Sequence, residues 1–296
     1  TAMKSAPFEY CRVANVDEAC AMLASDESAR VIAGGQTLVP MMAMRLARPT
    51  RLIDISRIAE LSYVRADGDA ISIGATTRQC LLERDALIAA KLPLLAQTIP
   101  FIGHAATRAR GTIGGSLANA DPAAELPLIA VTLDAVLEYR AGGRTEKIAA
   151  RDFYIGPMTT ALPGDAVLTS VRIPVWPGIV GIGFHEVNAR RSDFAFVAAA
   201  AQVELDSGGK CKRIAIGVGA ATDFPIRLPD AEKKLTGSTL DAAAVKSAVV
   251  EALADIVPLS DLHASAEYRR RVAANLAVRA VADARLRASG KKTHAH

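Results

Sequence analysis

The sequence of 296 residues is 51% hydrophobic and 22% charged, a composition that supports a large buried core divided between two domains. Its net charge of +4 is modest, and no basic stripe with interleaved aromatic residues occurs, which argues against nucleic-acid binding. No apolar run reaches the roughly 20 residues of a membrane-spanning helix, and the first residues lack the layout of a secretory signal, so we expect a cytoplasmic protein without a membrane span.

The apolar rhythm of residues 1–176 predicts a first domain of mixed helices and strands. Asn15 is the expected cap of a helix over 16–25, and Asp121 is the expected cap of a helix over 122–132 with Pro122 in its first turn. Two shorter helices, over 86–91 and 94–98, are separated by Pro93. Strands are predicted over 30–33, 51–55, 70–75 and 166–174, with a hairpin over 135–148.

A second domain is predicted after Trp176 and Pro177, so that the two domains cover residues 1–176 and 177–296. Strands are expected over 181–188, 195–206 and 212–220, followed by helices over 229–235, 241–255 and 266–288. Strands followed by helices indicate an α+β domain. Arg269, Arg270 and Arg271 lie on the last helix, and we expect them on a face that meets solvent or a partner subunit.

Two glycine-rich segments give the strongest functional signal. The first, over residues 31–38, contains Gly34 and Gly35, and the second, over residues 110–127, contains Gly114 and Gly115. Glycine lacks the Cβ that blocks close approach to an anion, and helix N-termini supply unpaired N–H donors, so these segments indicate a phosphate-bearing cofactor. Neither is a dinucleotide fingerprint or a Walker loop, and each taken alone is also compatible with an ordinary turn.

With their flanking residues, the two segments resemble the FAD-binding medium subunit of molybdenum hydroxylases, the carbon monoxide dehydrogenase and xanthine dehydrogenase family. The resemblance rests on residues 33–55, 102–127 and 184–195 and extends over nearly the whole chain. It implies an α+β fold in which a PCMH-type FAD-binding domain of two α/β subdomains precedes a C-terminal domain of antiparallel sheet plus helices.

The resemblance also implies which residues contact FAD. These are Ala33, Gly34, Gly35, Gln36, Thr37, Leu38, Ile102, Thr112, Gly114, Gly115, Ser116, Asn119, Asp121, Glu125, Leu168 and His185. Both glycine segments would hold the pyrophosphate, Ile102 and Leu168 would pack on the flavin, and Glu125 would bind a cofactor hydroxyl. On apolar character alone, however, Ile102 and Leu168 would be read as core residues.

Several of these assignments have alternatives. Asn119 and Asp121 are second choices, since capping a helix is a sufficient role for Asp121. Gln36 stands where many relatives have histidine, and it keeps a hydrogen-bonding group without a titrating one. His185 stands where some relatives have lysine, which leaves its role open. His104 raises the question of covalent attachment, but the resembled family holds FAD noncovalently.

Within the resembled family, electrons leave the substrate at a molybdenum centre on a large subunit, pass two [2Fe–2S] clusters on a small subunit, and reach FAD on the medium subunit. An external acceptor then reoxidises the FAD, and the heterotrimers pair into a dimer. This chain has four cysteines without a C-x-x-C pair, so we expect neither a cluster nor a metal site on it. We also expect no catalytic residue, because the flavin performs the redox chemistry.

Three functions remain open at this point. The first is the FAD subunit of a heterotrimeric molybdenum hydroxylase, whose large subunit selects carbon monoxide, a purine, an N-heterocycle or an aldehyde. The second is a stand-alone flavin oxidase or reductase, which the absence of an acid–base motif disfavours. The third is a nonenzymatic module that has lost the flavin, which the intact glycine segments disfavour.

Overall fold

The computed structural model describes residues 4–290. Its helices are α1 (Val16–Ser25), α2 (Leu38–Ala43), α3 (Gln79–Leu82), α4 (Ala86–Lys91), α5 (Pro93–Thr98), α6 (Ala105–Arg110), α7 (Ile113–Asn119), α8 (Glu125–Thr132), α9 (Ala150–Phe153), α10 (Pro229–Leu235), α11 (Ala242–Ala252) and α12 (Ala266–Ala288). Its strands are β1 (Glu9–Arg12), β2 (Arg30–Ile32), β3 (Arg51–Asp54), β4 (Val64–Asp67), β5 (Ala70–Gly74), β6 (Val136–Ala141), β7 (Arg144–Ala149), β8 (Tyr154–Gly156), β9 (Thr159–Thr160), β10 (Val167–Pro174), β11 (Val180–Val187), β12 (Val197–Leu205), β13 (Cys211–Gly219) and β14 (Ile226–Arg227).

Three larger sheets organise the chain. A parallel sheet of order β1-β3-β2 forms the first subdomain, and an antiparallel sheet of order β4-β5-β10-β6-β7 forms the second. An antiparallel sheet of order β11-β12-β13-β14, covered by the last three helices, forms the C-terminal part. The predicted α+β architecture, with two α/β subdomains before a sheet-plus-helices domain, is confirmed.

Local signals explain the well-predicted first helix. The Asn15 side chain accepts a hydrogen bond from Glu18 N at 2.9 Å, and the Glu18 carboxylate accepts one from Ala14 N at 2.8 Å. This reciprocal pair satisfies two N–H groups that a helix start leaves unpaired. The buried positions Val16, Ala19, Cys20 and Leu23 repeat at helical spacing and form one face towards the core.

Two glycines of β11 set how closely α12 lies on the C-terminal sheet. A β-carbon added to Gly181 would lie 1.8 Å from Ala284 O, and one added to Gly183 would lie 2.1 Å from Ala280 O. The helix backbone therefore rests directly on the strand, with only small side chains between them. The alternating glycines of this strand are a packing device, since they pair with alanines one helical turn apart.

One buried core joins the two predicted domains. All eight residues of α8 are buried, and this helix packs against β12 and β13. Gly217 of β13 permits that contact, because a β-carbon there would lie 1.9 Å from Thr132 Oγ1. On the other side of the sheet, Arg287 Nη1 donates to Gln97 Oε1 at 2.9 Å and so ties α12 to α5. The C-terminal sheet is thus fixed against the second subdomain.

Two expectations for the helix predicted over 122–132 are wrong, its first residue and its cap. The helix predicted over 122–132 begins only at Glu125, and Asp121 is not its cap: the Asp121 carboxylate accepts from Ala123 N at 2.9 Å in a separate turn. The second glycine segment is itself helical, because α7 contains both Gly114 and Gly115 and is capped by Thr112.

The expectation for the arginine run is wrong for Arg269. This side chain is only 3% exposed, and Nη1 donates to Phe196 O and to Ala220 O, the latter at 2.7 Å. Its Nη2 donates to Asp261 Oδ2 at 2.6 Å, so a single guanidinium joins α12 to the ends of two loops. The two terminal nitrogens of this buried arginine meet carbonyl and carboxylate oxygens in several directions, while its Nε is buried without a hydrogen-bond partner among the described residues.

The sequence predicts neither a membrane-spanning helix nor a group of metal-binding side chains. Within residues 4–290, no helix is both long and apolar enough to cross a membrane. The same part of the chain has no group of three or more histidine, cysteine, aspartate or glutamate side chains arranged to hold a metal ion. All four cysteines are free thiols.

Candidate cofactor cleft

A cleft of about 540 Å³ opens where the two α/β subdomains meet the C-terminal sheet. Its walls come from the loop after β2, the segment between Ile102 and Glu125, and the start of β10, while residues 192–194 border it from the C-terminal domain. The volume is typical of small-molecule and cofactor sites, which span about 300–1,000 Å³. Of the sequence-predicted site residues, His185 is outside this lining and all others are part of it.

The first glycine loop presents a row of unused backbone donors. Within residues 4–290, the N–H groups of residues 34–37 donate no hydrogen bond. Gly35 adopts φ +70°, a left-handed conformation that turns the chain sharply between β2 and α2. Successive backbone N–H groups at such a turn form a concave site for an anion. The Gln36 amide is used inside the loop, where Nε2 donates to Gly34 O at 3.2 Å.

The second glycine segment differs, because most of its N–H groups are already used. Gly114 N donates to Ala75 O at 2.9 Å, Gly115 N to Thr112 Oγ1 at 3.0 Å, and Ser116 N to Thr112 O at 3.2 Å. The Thr112 N–H and the Ser116 hydroxyl have no partner among the described residues. The two segments therefore do not offer backbone donors alike: the first loop has four N–H groups without a partner among the described residues, and the second segment has one N–H group and one hydroxyl.

Close packing explains why glycines occur in both segments. A β-carbon on Gly34 would lie 2.4 Å from Arg110 O and 2.9 Å from Gly111 Cα, so the two segments touch through their backbones. A β-carbon on Gly114 would lie 2.5 Å from the Ala75 side chain. These glycines are required by contacts within the protein, independently of any ligand.

Two apolar residues face the cleft from opposite elements. Ile102, 8% exposed, follows a 3₁₀ turn and precedes Gly103, which adopts φ +47°. The Arg108 guanidinium holds this corner by donating to Ile102 O at 3.1 Å and Gly103 O at 3.0 Å. Leu168, 5% exposed, precedes a β-bulge in β10. Both side chains supply an apolar surface beside the polar loop.

Desolvated carboxyl groups lie in and beside the cleft: Asp121 and Glu125 line it, and Glu186 does not. Burial raises the pKa of Glu125, at the first position of α8, from 4.5 to about 7. Burial also raises the pKa of Asp121. Glu186 on β11 lies near enough that burial, and then the charge of Glu125, raise its pKa to about 8. Glu125 and Glu186 therefore titrate near neutral pH, and Glu125 can accept or donate a hydrogen bond there.

The remaining predicted residues differ in placement. His104 and Asn119 line the cleft, and Asn119 Nδ2 also contacts Met158 Sδ at 3.8 Å. His185 does not line the cleft: its Nε2 lies 3.0 Å from Asp283 Oδ2 on α12, and it links β11 to that helix.

Some cleft residues were missed by the sequence analysis. Gln79 and Thr107 line it without belonging to a recognisable motif. Residues 192–194 lie within a stretch on which the resemblance rests, yet none of them was singled out; Asp193 accepts from Arg190 Nε at 3.1 Å, and the Phe194 side chain is 66% exposed.

Comparisons with known proteins agree with this geometry. Residues 6–176 match the family described as FAD binding domain in molybdopterin dehydrogenase, and residues 183–284 match the CO dehydrogenase flavoprotein C-terminal domain. The carbon monoxide dehydrogenase medium chain of Afipia carboxidovorans is 38% identical, over 95% of this chain and 98% of that protein. The 6-hydroxypseudooxynicotine dehydrogenase complex subunit alpha of Paenarthrobacter nicotinovorans is 37% identical, over 98% of each.

Solved structures give the same result. A chain of carbon monoxide dehydrogenase from Oligotropha carboxidovorans superposes with a TM-score of 0.93 at 37% identity, over 96% of this chain and 99% of that one. A chain of quinoline 2-oxidoreductase from Pseudomonas putida 86 gives 0.91 at 32% identity, over the same shares. The fold and cleft are those of a flavoprotein subunit. The chain belongs to the family of FAD-binding medium subunits of molybdenum hydroxylases.

Proposed function

We propose that this chain binds FAD noncovalently in the cleft and passes electrons from the [2Fe–2S] clusters of a partner subunit to an external acceptor. The observation that supports this most directly is the row of unused N–H groups over residues 34–37, beside a cleft with apolar walls. Such donors match the charge of a pyrophosphate, and the apolar walls match a flavin ring.

The chain's own residues then have distinct tasks. The first glycine loop binds the pyrophosphate, with Thr112 and Ser116 adding polar contacts from the second segment. Ile102 and Leu168 pack on the flavin and exclude water from it. Glu125 accepts a hydrogen bond from a cofactor hydroxyl, and Asn119 and Asp121 border the same end. Bound FAD supplies the redox chemistry, while the protein positions it and adjusts its potential.

We propose that two further subunits complete the enzyme, a large one with the molybdenum cofactor and a small one with two [2Fe–2S] clusters. The relatives support this, since one is named a medium chain and another a subunit of a dehydrogenase complex. The large subunit selects the substrate. We further propose a dimer of heterotrimers in the cytoplasm, and a domain division at residues 1–176 and 177–296.

Affinity purification of the tagged chain from its native cells tests the proposal. We expect two partner polypeptides, molybdenum, iron and FAD in the eluate, with FAD released into the supernatant by acid. Precipitated yellow protein would contradict noncovalent binding. A chain that purifies alone with FAD and oxidises a substrate unaided would support a stand-alone flavoenzyme, and a chain without FAD would indicate a nonenzymatic module.

A further inference from the structure

Gln79 occupies the floor of the cleft beneath the second glycine segment. Its backbone N donates to Gly111 O at 2.9 Å, and its neighbour Arg78 forms an antiparallel bridge with Thr112. The residue is 4% exposed and nevertheless lines the cleft. A polar side chain is therefore placed where the surrounding backbone leaves little room.

The side-chain amide of Gln79 is incompletely satisfied. Its Oε1 is fully buried and has no hydrogen-bond partner within residues 4–290. A β-carbon on Gly111 would lie 2.6 Å from this oxygen, so Oε1 packs closely against the Gly111 backbone. The Nε2 end of the amide is not buried and makes no hydrogen bond within the same residues. It is the end that remains available to the cleft.

An unpaired buried amide destabilises a fold relative to an apolar side chain of similar shape. Methionine would fill the same space without that loss. Since Gln79 lines the cleft, its free Nε2 end can donate a hydrogen bond to a ligand there, which methionine cannot do. Unpaired polar groups at a binding site are where such a ligand is expected.

The neighbouring backbone indicates which part of the ligand this is. The backbone of Gly111 contacts the Gln79 amide, and Gly34, in the loop with unused N–H groups, contacts Gly111. Gly111 is thus the residue that stands between the Gln79 amide and the first glycine loop. We propose that Gln79 is a further cofactor-binding residue, whose Nε2 donates a hydrogen bond to a phosphate oxygen of FAD; this rests on the proposed function.

The test combines the stability of the flavin-free protein with its affinity for FAD. Gln79→Met should raise the melting temperature of the flavin-free protein, because an unpaired amide is removed, and should weaken FAD binding at least about fivefold. A purely structural glutamine would give the opposite sign in melting temperature. Lower stability, or unchanged FAD affinity, would overturn the proposal.

Thr76→Val is the matched control. Thr76 lies three residues earlier, is 3% exposed, and has an unpaired buried Oγ1, but it does not line the cleft. This variant should also raise the melting temperature of the flavin-free protein and should leave FAD affinity unchanged. Equal loss of FAD affinity in both variants would show that the effect comes from disturbing the segment that contains Thr76 and Gln79. That result would overturn the assignment to Gln79.

A third variant and two cofactor fragments identify the contacted group. Gln79→Glu replaces the donor by a carboxylate, which repels phosphate, so it should bind FAD and ADP more weakly than Gln79→Met does, with riboflavin binding unaffected. FAD binding by Gln79→Glu equal to wild type, or a loss confined to riboflavin, would overturn the phosphate contact. Wild-type protein that failed to bind FAD would contradict the proposed function itself, which separates the two failures.

Discussion

Glu125 allows a quantitative test of the cleft electrostatics. Burial raises its pKa from 4.5 to about 7, so the folded, flavin-free protein holds this proton over a pH range in which the unfolded chain releases it. The folded state is therefore penalised as the pH rises from about 4.5 to 7, and above 7 the penalty is complete. At about 1.4 kcal/mol for each pH unit, it amounts to roughly 3 kcal/mol.

Replacing Glu125 by glutamine removes the titration and keeps the shape of the side chain. We expect Glu125→Gln to stabilise the flavin-free protein by up to about 3 kcal/mol at pH 8 and to have little effect at pH 4.5. Chemical denaturation of both proteins at the two pH values measures the difference. Asp121 and Glu186 remain in both proteins, and because the charge of Glu125 helps to raise the pKa of Glu186, its removal also relieves Glu186 and adds to the stabilisation at pH 8.

The matched control is Glu232→Gln. Glu232 is equally buried, at 8% exposed, but its carboxylate accepts from Arg227 Nε at 2.8 Å and from Ile216 N at 2.8 Å. Neutralising this paired group should destabilise the protein at pH 8. If Glu125→Gln were destabilising at pH 8, or had the same effect at both pH values, the account of a desolvated Glu125 would be refuted.

Two further variants test the loop contacts and the cofactor role of the same glutamate. Gly34→Ala places a β-carbon 2.4 Å from Arg110 O, so it should lower stability by about 1–3 kcal/mol and reduce the flavin-to-protein ratio. Gly164→Ala is the control, because a β-carbon there has no atom within 4 Å and should change neither quantity. A normal flavin ratio and melting temperature in Gly34→Ala would show that the loops do not touch. Glu125→Ala should weaken FAD binding at least about tenfold, as expected for the loss of a charged hydrogen bond of about 1.5–3 kcal/mol. Titration calorimetry measures this affinity. An unchanged affinity would reassign Glu125 to helix stabilisation.

Elements defined by local signals were predicted well. The helix capped by Asn15 has the predicted bounds, as has α4, and β10 begins one residue later than predicted. The information needed lay within a few residues: a cap, an apolar period, or a proline. The same holds for the C-terminal sheet, whose long apolar strands are followed by helices of regular pattern.

Elements defined by distant contacts were not predicted. Helix α7 contains Gly114 and Gly115, which disfavour helices, and it forms because Gly114 packs on Ala75 and donates to its carbonyl oxygen. The Asp121 carboxylate could equally cap a helix or close a turn, and the fold selects the turn.

The candidate site was found largely through the resemblance. Glycine spacing indicated the two segments, but residue chemistry alone could not separate Ile102 and Leu168 from ordinary core residues. It also could not show that one segment keeps its N–H groups free while the other uses them, because that depends on Ala75 and Thr112. Gln79 belongs to no motif, and only its burial beside the cleft distinguishes it.

Anaerobic stopped-flow spectroscopy tests the electron-relay role most directly. The FAD-loaded chain alone and the purified complex are each mixed with carbon monoxide, nicotine, caffeine, xanthine and aldehydes. We expect no flavin bleaching in the isolated chain with any of them, and in the complex we expect bleaching with one substrate, preceded by reduction of the iron–sulfur clusters. Rapid flavin reduction by a substrate in the isolated chain would contradict the account.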